Sequence, residues 1–422
     1  MQIKMLVGVV AAAFAVPTAY AQKGGGGGSK EGPEPDSSVV IYGKVYPEIV
    51  FPSSSGATST SAAAGANAAG YCTICIRPAG ENGVTKKSEF ESSNSRLGFR
   101  GFERLGGDLR AIFQLETEFH VDDVDSRFAG RDSFVGLSSK RWGTVKLGRM
   151  DTPFKEYGDD ISFLGVSSGN FTSTSSVFRH IGMGGQNNAA RFHERRINVV
   201  QYESPDLGPV DFKVQWSTNE AKTDTPPLRD PRVFSSGARI ELGNFEVYGG
   251  YEVHWDLFGL SLNALSAQRN TNDPNVRSKD EAVEIGVKYK LGRNHQFAIE
   301  GNKKKYDEPG ATATGKVRSY ENEAYLFAWD ARWSEQWRTA VQYVRAQAGE
   351  CQLVNAACNT NGLKGEQFGV GVAYHFSRRT YLFLMGTLVK NDFAASFNNS
   401  NQQDVNPGED LRQVAIGIHT AF

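Results

Sequence analysis

From Ser37 to Phe422 the chain alternates apolar and polar residues in segments of roughly ten, separated by clusters of Gly, Asn, Asp or Pro. In Glu281 to Leu291, Val283, Ile285, Val287, Tyr289 and Leu291 fall on one face, and Glu284, Gly286, Lys288 and Lys290 on the other. That is the period of two that a strand imposes on its side chains. Phe245 to Trp255 repeats the pattern, with Phe245, Val247, Tyr251, Val253 and Trp255 opposite Glu246, Tyr248, Glu252 and His254. So does Val210 to Trp216, where Phe212, Val214 and Trp216 oppose Asp211, Lys213 and Gln215. One face suits hydrocarbon, the other water. A soluble sandwich also alternates, so the connections have to decide.

They come alternately short and long. The short ones are Arg104 to Asp108, Lys140 to Gly143, Pro205 to Pro209, Gly243 to Asn244, Gly292 to Asn294, Glu335 to Gln336 and Arg378 to Arg379. The long ones span Pro52 to Ser95, His120 to Arg131, Asp151 to Arg195, Ala221 to Arg232, Phe258 to Lys279, Lys304 to Arg318, Gly349 to Gly365 and Asn391 to Glu409. Short turns at one end and long loops at the other predict an all-β antiparallel transmembrane barrel of about sixteen strands, with both termini on the short-turn side. A ring of that size leaves an aqueous channel, and closure pairs every backbone group that hydrocarbon would otherwise strand. The last strand, Leu411 to Phe422, puts Val414, Ile416, Ile418 and Phe422 on one face and ends on an aromatic.

Composition agrees and narrows the class. With 22% charged and 39% hydrophobic residues, the chain is too polar for a bundle of membrane helices. Its one long apolar run is at the start, where a short basic region, a hydrophobic core from Met5 to Val16 and Ala19-Tyr20-Ala21 read as a signal peptide cut after Ala21. The predicted domains are therefore a signal peptide over 1–21, a flexible Gly-rich tail over 22–36 and a barrel over 37–422. The tail is too short for a plug domain of the kind that receptor-gated transporters need. A formal charge of -1 makes no electrostatic case for nucleic acid.

Four cysteines in an exported chain, Cys72, Cys75, Cys351 and Cys358, allow three pairings. Local pairing of Cys351 with Cys358 is preferred. Cys72-x-x-Cys75 lacks the βαβ surroundings of a redox site, and neither pair has a histidine nearby to make a metal site. Enzyme chemistry is not predicted: Gly-x-Ser-x-Gly, His-Glu-x-x-His and phosphate-cradling glycine loops are absent, and the seven histidines are scattered. No cofactor is implied.

The sequence resembles the general porins of Gram-negative bacteria, of the kind found in beta-proteobacteria and Neisseria. The matching stretches are Ser38-Val-Val-Ile-Tyr-Gly43, Ser95-Arg-Leu-Gly-Phe-Arg-Gly101 and Gly106-Gly-Asp-Leu-Arg-Ala-Ile-Phe-Gln-Leu-Glu116. Arg131-Asp-Ser-Phe-Val-Gly-Leu137, Gly143-Thr-Val-Lys-Leu-Gly-Arg149, Arg196-Ile-Asn-Val-Val-Gln-Tyr202 with Ser204-Pro205, and the terminal Phe422 continue them. The resemblance implies a homotrimer of sixteen-stranded barrels in the outer membrane, among its lipid and lipopolysaccharide. It further implies that the third long loop, Asp151 to Glu194, folds inward, and that Phe422 is read by the barrel-insertion machinery. The Ser/Ala/Gly-rich Ser53 to Gly70, the first two cysteines and the glycine tail depart from the family pattern.

A pore selects by width and by the charge of its constriction. With Leu97 and Phe99 on the lipid face, Arg96 and Arg100 point inward; with Phe134 outward, Arg131 points in; Arg195 and Arg196 enter the sixth strand. Of these, Arg96, Arg131 and Arg195 or Arg196 match positions where the family carries a basic cluster on the wall facing the inward loop. Asp151, Glu156, Asp159 and Asp160 on the inward loop would face them, and lumen salt bridges with Glu116 or Glu118 are the plainer use of the same arginines. The expected function is a diffusion pore for small hydrophilic solutes and ions, anionic or neutral, with a mild anion preference. The alternative is a surface-binding or adhesive barrel that acts through its long external loops.

Overall fold

The computed structural model describes residues 36–64, 70–92, 94–123, 127–159, 163–164, 170–184, 187–399 and 403–422. The expected signal peptide, and the tail up to residue 35, lie outside them. Nineteen strand segments form one antiparallel sheet; three of them continue a neighbour past a break, which leaves a closed ring of sixteen strands. β1 is Ser37–Val45 continued by Glu48–Ser55, and β2 is Glu89–Glu91 continued by Arg96–Gly106. β3 to β6 are Leu109–Glu118, Ser133–Ser139, Gly143–Asp151 and Arg195–Glu203. β7 to β10 are Val210–Ser217, Arg232–Leu242, Phe245–Trp255 and Lys279–Leu291. β11 and β12 are His295–Asp307 and Val317–Arg332; β13 is Trp337–Ala346 continued by Glu350–Leu353. β14 to β16 are Gly365–His375, Thr380–Asn391 and Asp410–Ala421.

Each strand pairs with the next, and β1 closes the ring. One edge of β1 runs against β2 from Ser37↔Glu103 to Lys44↔Arg96; the other runs against β16 from Ser55↔Asp410 to Lys44↔Ala421. The terminal residue finishes the seam: Phe422 N donates to Gly43 O at 3.0 Å and Gly43 N donates back at 3.3 Å. Only glycine fits at 43, because a Cβ there would lie 2.4 Å from the Arg96 carbonyl and 2.6 Å from the Phe422 ring.

The two faces are inverted relative to a soluble protein. Val39, Ile41, Val135, Leu137, Ile285, Ile299, Leu384 and Ile416 are exposed on the outside. Asp211, Glu252, Glu284 and Glu300 are buried on the inside. Trp142, Phe245, Trp333, Trp337 and Phe376 stand exposed near the short turns, as an aromatic girdle does at a membrane interface.

The ladder departs from the sequence reading in several places, among them Glu89–Glu91 and Lys304 to Asp307, which lie in predicted connections but are paired. Pro52 to Ser55, assigned to the first long loop, extends β1 along β16. Proline is tolerated there because pairing with β2 has already ended at Val50↔Glu89, so one edge needs no donor. Glu350–Leu353, assigned to a loop, pairs with β12. Phe134 was placed on the lipid face, but the exposed residues of β4 are Val135 and Leu137, and the Lys146 ammonium lies 4.5 Å from the Phe134 ring centre on the other side.

Ile285→Arg, at a site 64% exposed on the outer face, should destabilise the lipid-embedded barrel by about 2–4 kcal/mol. Urea unfolding in bilayers measures this, and a loss below 0.5 kcal/mol (roughly the noise expected of surface changes) would argue that the face is not in lipid.

Candidate functional site

On the inner wall of β1 to β4, basic side chains crowd around one carboxylate. Arg131 Nε donates to Glu116 Oε1 at 2.6 Å, Arg96 Nη1 lies 3.7 Å from the same oxygen, and Tyr42 OH donates to Oε2 at 3.0 Å. Arg131 Nη1 also lies 3.7 Å from Glu118. The Arg100 guanidinium lies 4.7 Å from the Tyr42 ring centre. Lys44 Nζ donates to the Asn94 amide oxygen at 3.0 Å. Lys44, Arg96, Arg100 and Arg131 therefore share this part of the wall with two carboxylates. Lys44 escaped the sequence reading, although the parity that turns Tyr42 inward also turns Lys44 inward. Arg131 does reach the inside, but not by the parity argued from Phe134, since the chain bends at 131–132 before β4 begins.

The remaining two arginines separate. Arg195 Nε donates to Asp132 at 2.5 Å and Nη2 lies 2.9 Å from Asp151. Arg196 Nη2 instead lies 3.1 Å from His254 Nε2 on β9, beside Glu252. Alternation cannot be read through this stretch, because the register shifts between Gly148 and Met150 and Asn198 takes a positive φ of 56°.

The segment between β5 and β6, residues 152–194, touches the inner side chains of most of the other strands. It opens with α1 (Pro153–Gly158), where Thr152 Oγ1 accepts from Lys155 N and Pro153 fills the first turn. α1 presses on the inner wall, where Phe154 N donates to Ser235 Oγ on β8 at 3.0 Å and Tyr157 OH donates to Asp211 on β7. Gly237 makes room for it, since a Cβ there would stand 2.2 Å from the Tyr157 ring. Further on, Phe178 O accepts from Lys304 Nζ at 2.7 Å and Asn302 Nδ2 at 2.8 Å on β11. Thr172 O accepts from Gln342 on β13 and Gln367 on β14, Leu164 O from Tyr381 OH on β15, and Asn170 donates to Glu48 on β1.

At the centre stands Arg179, 1% exposed. Its Nε donates to Glu284 at 2.8 Å, its Nη2 donates to Glu300 at 2.6 Å, and its Nη1 lies 3.5 Å from Asp159. The sequence reading passed over Arg179; a single cation in the Ser-rich, apolar run Ser175-Ser-Val-Phe-Arg-His was the available signal.

The segment's acids are already engaged. Asp151 lies 2.9 Å from both Lys155 and Arg195, Glu156 pairs with Lys213 at 2.5 Å, and Asp159 with His193 at 2.7 Å. Asp160 lies outside the described residues. Burial raises the Asp159 carboxyl, but His193 and Arg179 outweigh it and the net shift is downward. Burial lowers His180 to about 4, with Arg191 nearby adding to the effect against hydrogen bonding to the Ile181 and Asn187 carbonyls. Both cysteine pairs are disulfides, Cys72 with Cys75 and Cys351 with Cys358.

A profile of the Gram-negative porin family matches residues 8–416. The chain is similar to an outer membrane porin protein of Bordetella pertussis, 24% identical over 352 residues that cover 77% of this chain and 81% of that one. It is also similar to the major outer membrane protein P.IB of Neisseria meningitidis, 28% identical over 177 residues, 42% of this chain and 48% of that one. Its fold is that of the anion-selective porin from Comamonas acidovorans, with a TM-score of 0.66 at 20% identity over 92% of this chain and 100% of that one.

Arg179→Met would leave Glu284 and Glu300 buried without their cation, costing the docked segment about 3–5 kcal/mol. In liposomes, protease should then cut within 152–194 while the barrel stays intact; resistance equal to wild type would show that the arginine is not the anchor. Acid should act in the same direction through His180. A base whose folded pKa is depressed stabilises the docked state above its unfolded value near 6.5, and that contribution is lost as the pH falls toward about 4. Proteolysis of the segment should therefore quicken between those values, and less so in His180→Asn.

Proposed function

Because the chain belongs to the Gram-negative porin family, we propose that it is a passive channel whose constriction is formed by segment 152–194 folded into the barrel and whose basic wall favours anions. It is a multi-pass β-barrel of the outer membrane. The inward position of the segment is supported by its partners, which all lie on the inner face: Asp211, Ser235, Glu284, Glu300, Lys304, Gln342 and Gln367. Small hydrophilic solutes pass beside it.

The observation that carries the anion preference is the basic cluster on β1 to β4, where Lys44, Arg96, Arg100 and Arg131 gather around Glu116, with Glu118 beside Arg131. On the opposite wall, cations and carboxylates are matched at close range, as at Arg239 with Asp211 and Glu246. A field left uncancelled in a low-dielectric channel draws counter-ions. The preference is mild because Glu116 and Glu118 offset part of the charge. The solved porin from Comamonas acidovorans is described as anion-selective, which supports the same sign here.

In the membrane the channel assembles as a homotrimer. The exposed Val39, Ile41, Phe90, Val135 and Leu137 on the first strands offer the apolar surface that a subunit contact would use. Lipid and lipopolysaccharide surround the rest, and the terminal Phe422 serves as the insertion signal.

Single-channel recording across a salt gradient tests this. The reversal potential should correspond to an anion-over-cation permeability ratio of about 2–5, and Lys44→Glu with Arg96→Glu should bring it to or below unity. A cation-selective wild-type channel, or a double variant with unchanged reversal potential, would sink the assignment.

A further inference from the structure

The channel reading leaves the Cys72-x-x-Cys75 turn without a role. It belongs to the long connection between β1 and β2, yet Tyr71, Cys72, Ile74 and Cys75 are at most 1% exposed. They share one apolar cluster with Phe178 and Met183 of segment 152–194, Leu260 from the connection after β9, Leu363 from that after β13, and Phe397 from that after β15. Five external segments converge on this cluster.

Hydrogen bonds fix the turn from several sides. Ile76 N donates to Met183 O at 3.2 Å, which seats the turn on segment 152–194. Leu265 N donates to Ile74 O at 3.3 Å, and Gln268 Nε2 donates to Thr73 O at 3.0 Å. Thr73, between the two cysteines, also meets the second disulfide-closed turn. Its N donates to Asn359 O at 3.0 Å, its Oγ1 accepts from Asn359 N at 2.9 Å, and it lies 3.4 Å from Cys358 Sγ.

The topology says where this contact must be. Residues 71–76 belong to a connection rooted between β1 and β2; Leu265 and Gln268 belong to one rooted between β9 and β10. Those roots are eight strands apart in a ring of sixteen, so they stand on opposite sides of an opening about 30 Å across for this strand number and tilt. Connections that bond to each other from opposite sides span the opening, and the burial of Ile74 and Cys75 excludes a path along an exposed rim.

We propose that the 71–76 turn is a cap across the external entrance, a second size filter stacked on the outer side of segment 152–194. The Cys72–Cys75 disulfide keeps the turn folded, and Thr73 positions it between the connections that follow β9 and β13. Solutes that reach the constriction first pass beside this bridge, so the size limit of the pore is set at two levels. The proposal rests on the channel reading.

The test uses the full chain reconstituted in liposomes and planar bilayers. Three proteins are compared with wild type: one with residues 71–76 replaced by glycine and serine, one with Cys72→Ser and Cys75→Ser, and one with Thr73→Val, which leaves both disulfides in place. The readouts are single-channel conductance and liposome swelling in neutral sugars from pentose to tetrasaccharide. Replacement of the turn should raise conductance about twofold or more and admit sugars that wild type excludes. The other two variants should give smaller increases. A replacement variant with a heat-modifiable, correctly assembled barrel but wild-type conductance and wild-type sugar limit overturns the cap. Current in the variant with none in wild type supports it in its strongest form. No current from any of the folded proteins removes the channel reading, and the cap falls with it.

Discussion

Everything in this molecule follows from the need to pair backbone groups where no water can. A sheet in hydrocarbon has no tolerable edge, so the first strand must serve both β2 and β16. It does so by overlap, pairing with β2 from Ser37 to Lys44 and again from Glu48 to Val50, and with β16 from Lys44 to Ser55. The seam holds to the last residue, where Phe422 and Gly43 exchange two hydrogen bonds. Once the ring is closed, the period-two pattern of each strand becomes a separation in space. Ile285 faces lipid and Glu284 faces the interior for the same reason, and a slip of one residue would exchange them.

Closure brings many charges into one enclosed space, and segment 152–194 pairs with part of them. It lies along β7 to β15, where its groups and the wall's satisfy each other: Glu156 with Lys213, Tyr157 with Asp211, Arg179 with Glu284 and Glu300. On β1 to β4 the segment reaches Glu48 through Asn170, while Arg96 and Arg131 keep Glu116 as their partner.

The ring could be read from the sequence because two independent local signals agree along it: apolar alternation, and glycine- or asparagine-rich turns at alternating short and long spacing. Reading failed where one of those signals was interrupted. Pro52 looked like a stop, although an unpaired edge accepts it. At Phe134 the apolar residues Phe134 and Val135 are adjacent, so alternation alone cannot say which faces lipid; Phe134 packs beneath Lys146 instead. Around Gly148 and Asn198 a bulge resets the parity, which is why Arg195 and Arg196 could not be told apart. Contacts made across the ring, such as Arg179 with Glu300 or Thr73 with Asn359, leave no periodic trace and are set by tertiary structure alone.

The two kinds of interior arginine have different work, and their partners distinguish them. Arg179 is enclosed, with two carboxylates at hydrogen-bond distance and a third at 3.5 Å, so its charge is spent on holding a loop. Arg96 sits 3.7 Å from a carboxylate already bonded to Arg131, and its side chain is 26% exposed. A cation that shares its counter-ion and keeps contact with water contributes little to stability but projects a field into the space beside it. If segment 152–194 forms the constriction as proposed, replacing the first kind would move it, and replacing the second would leave the architecture standing and change what the channel attracts. Selectivity in such a barrel can therefore change without any change to the ladder that carries it, because the ladder is made by backbone groups and the field by side chains they merely position.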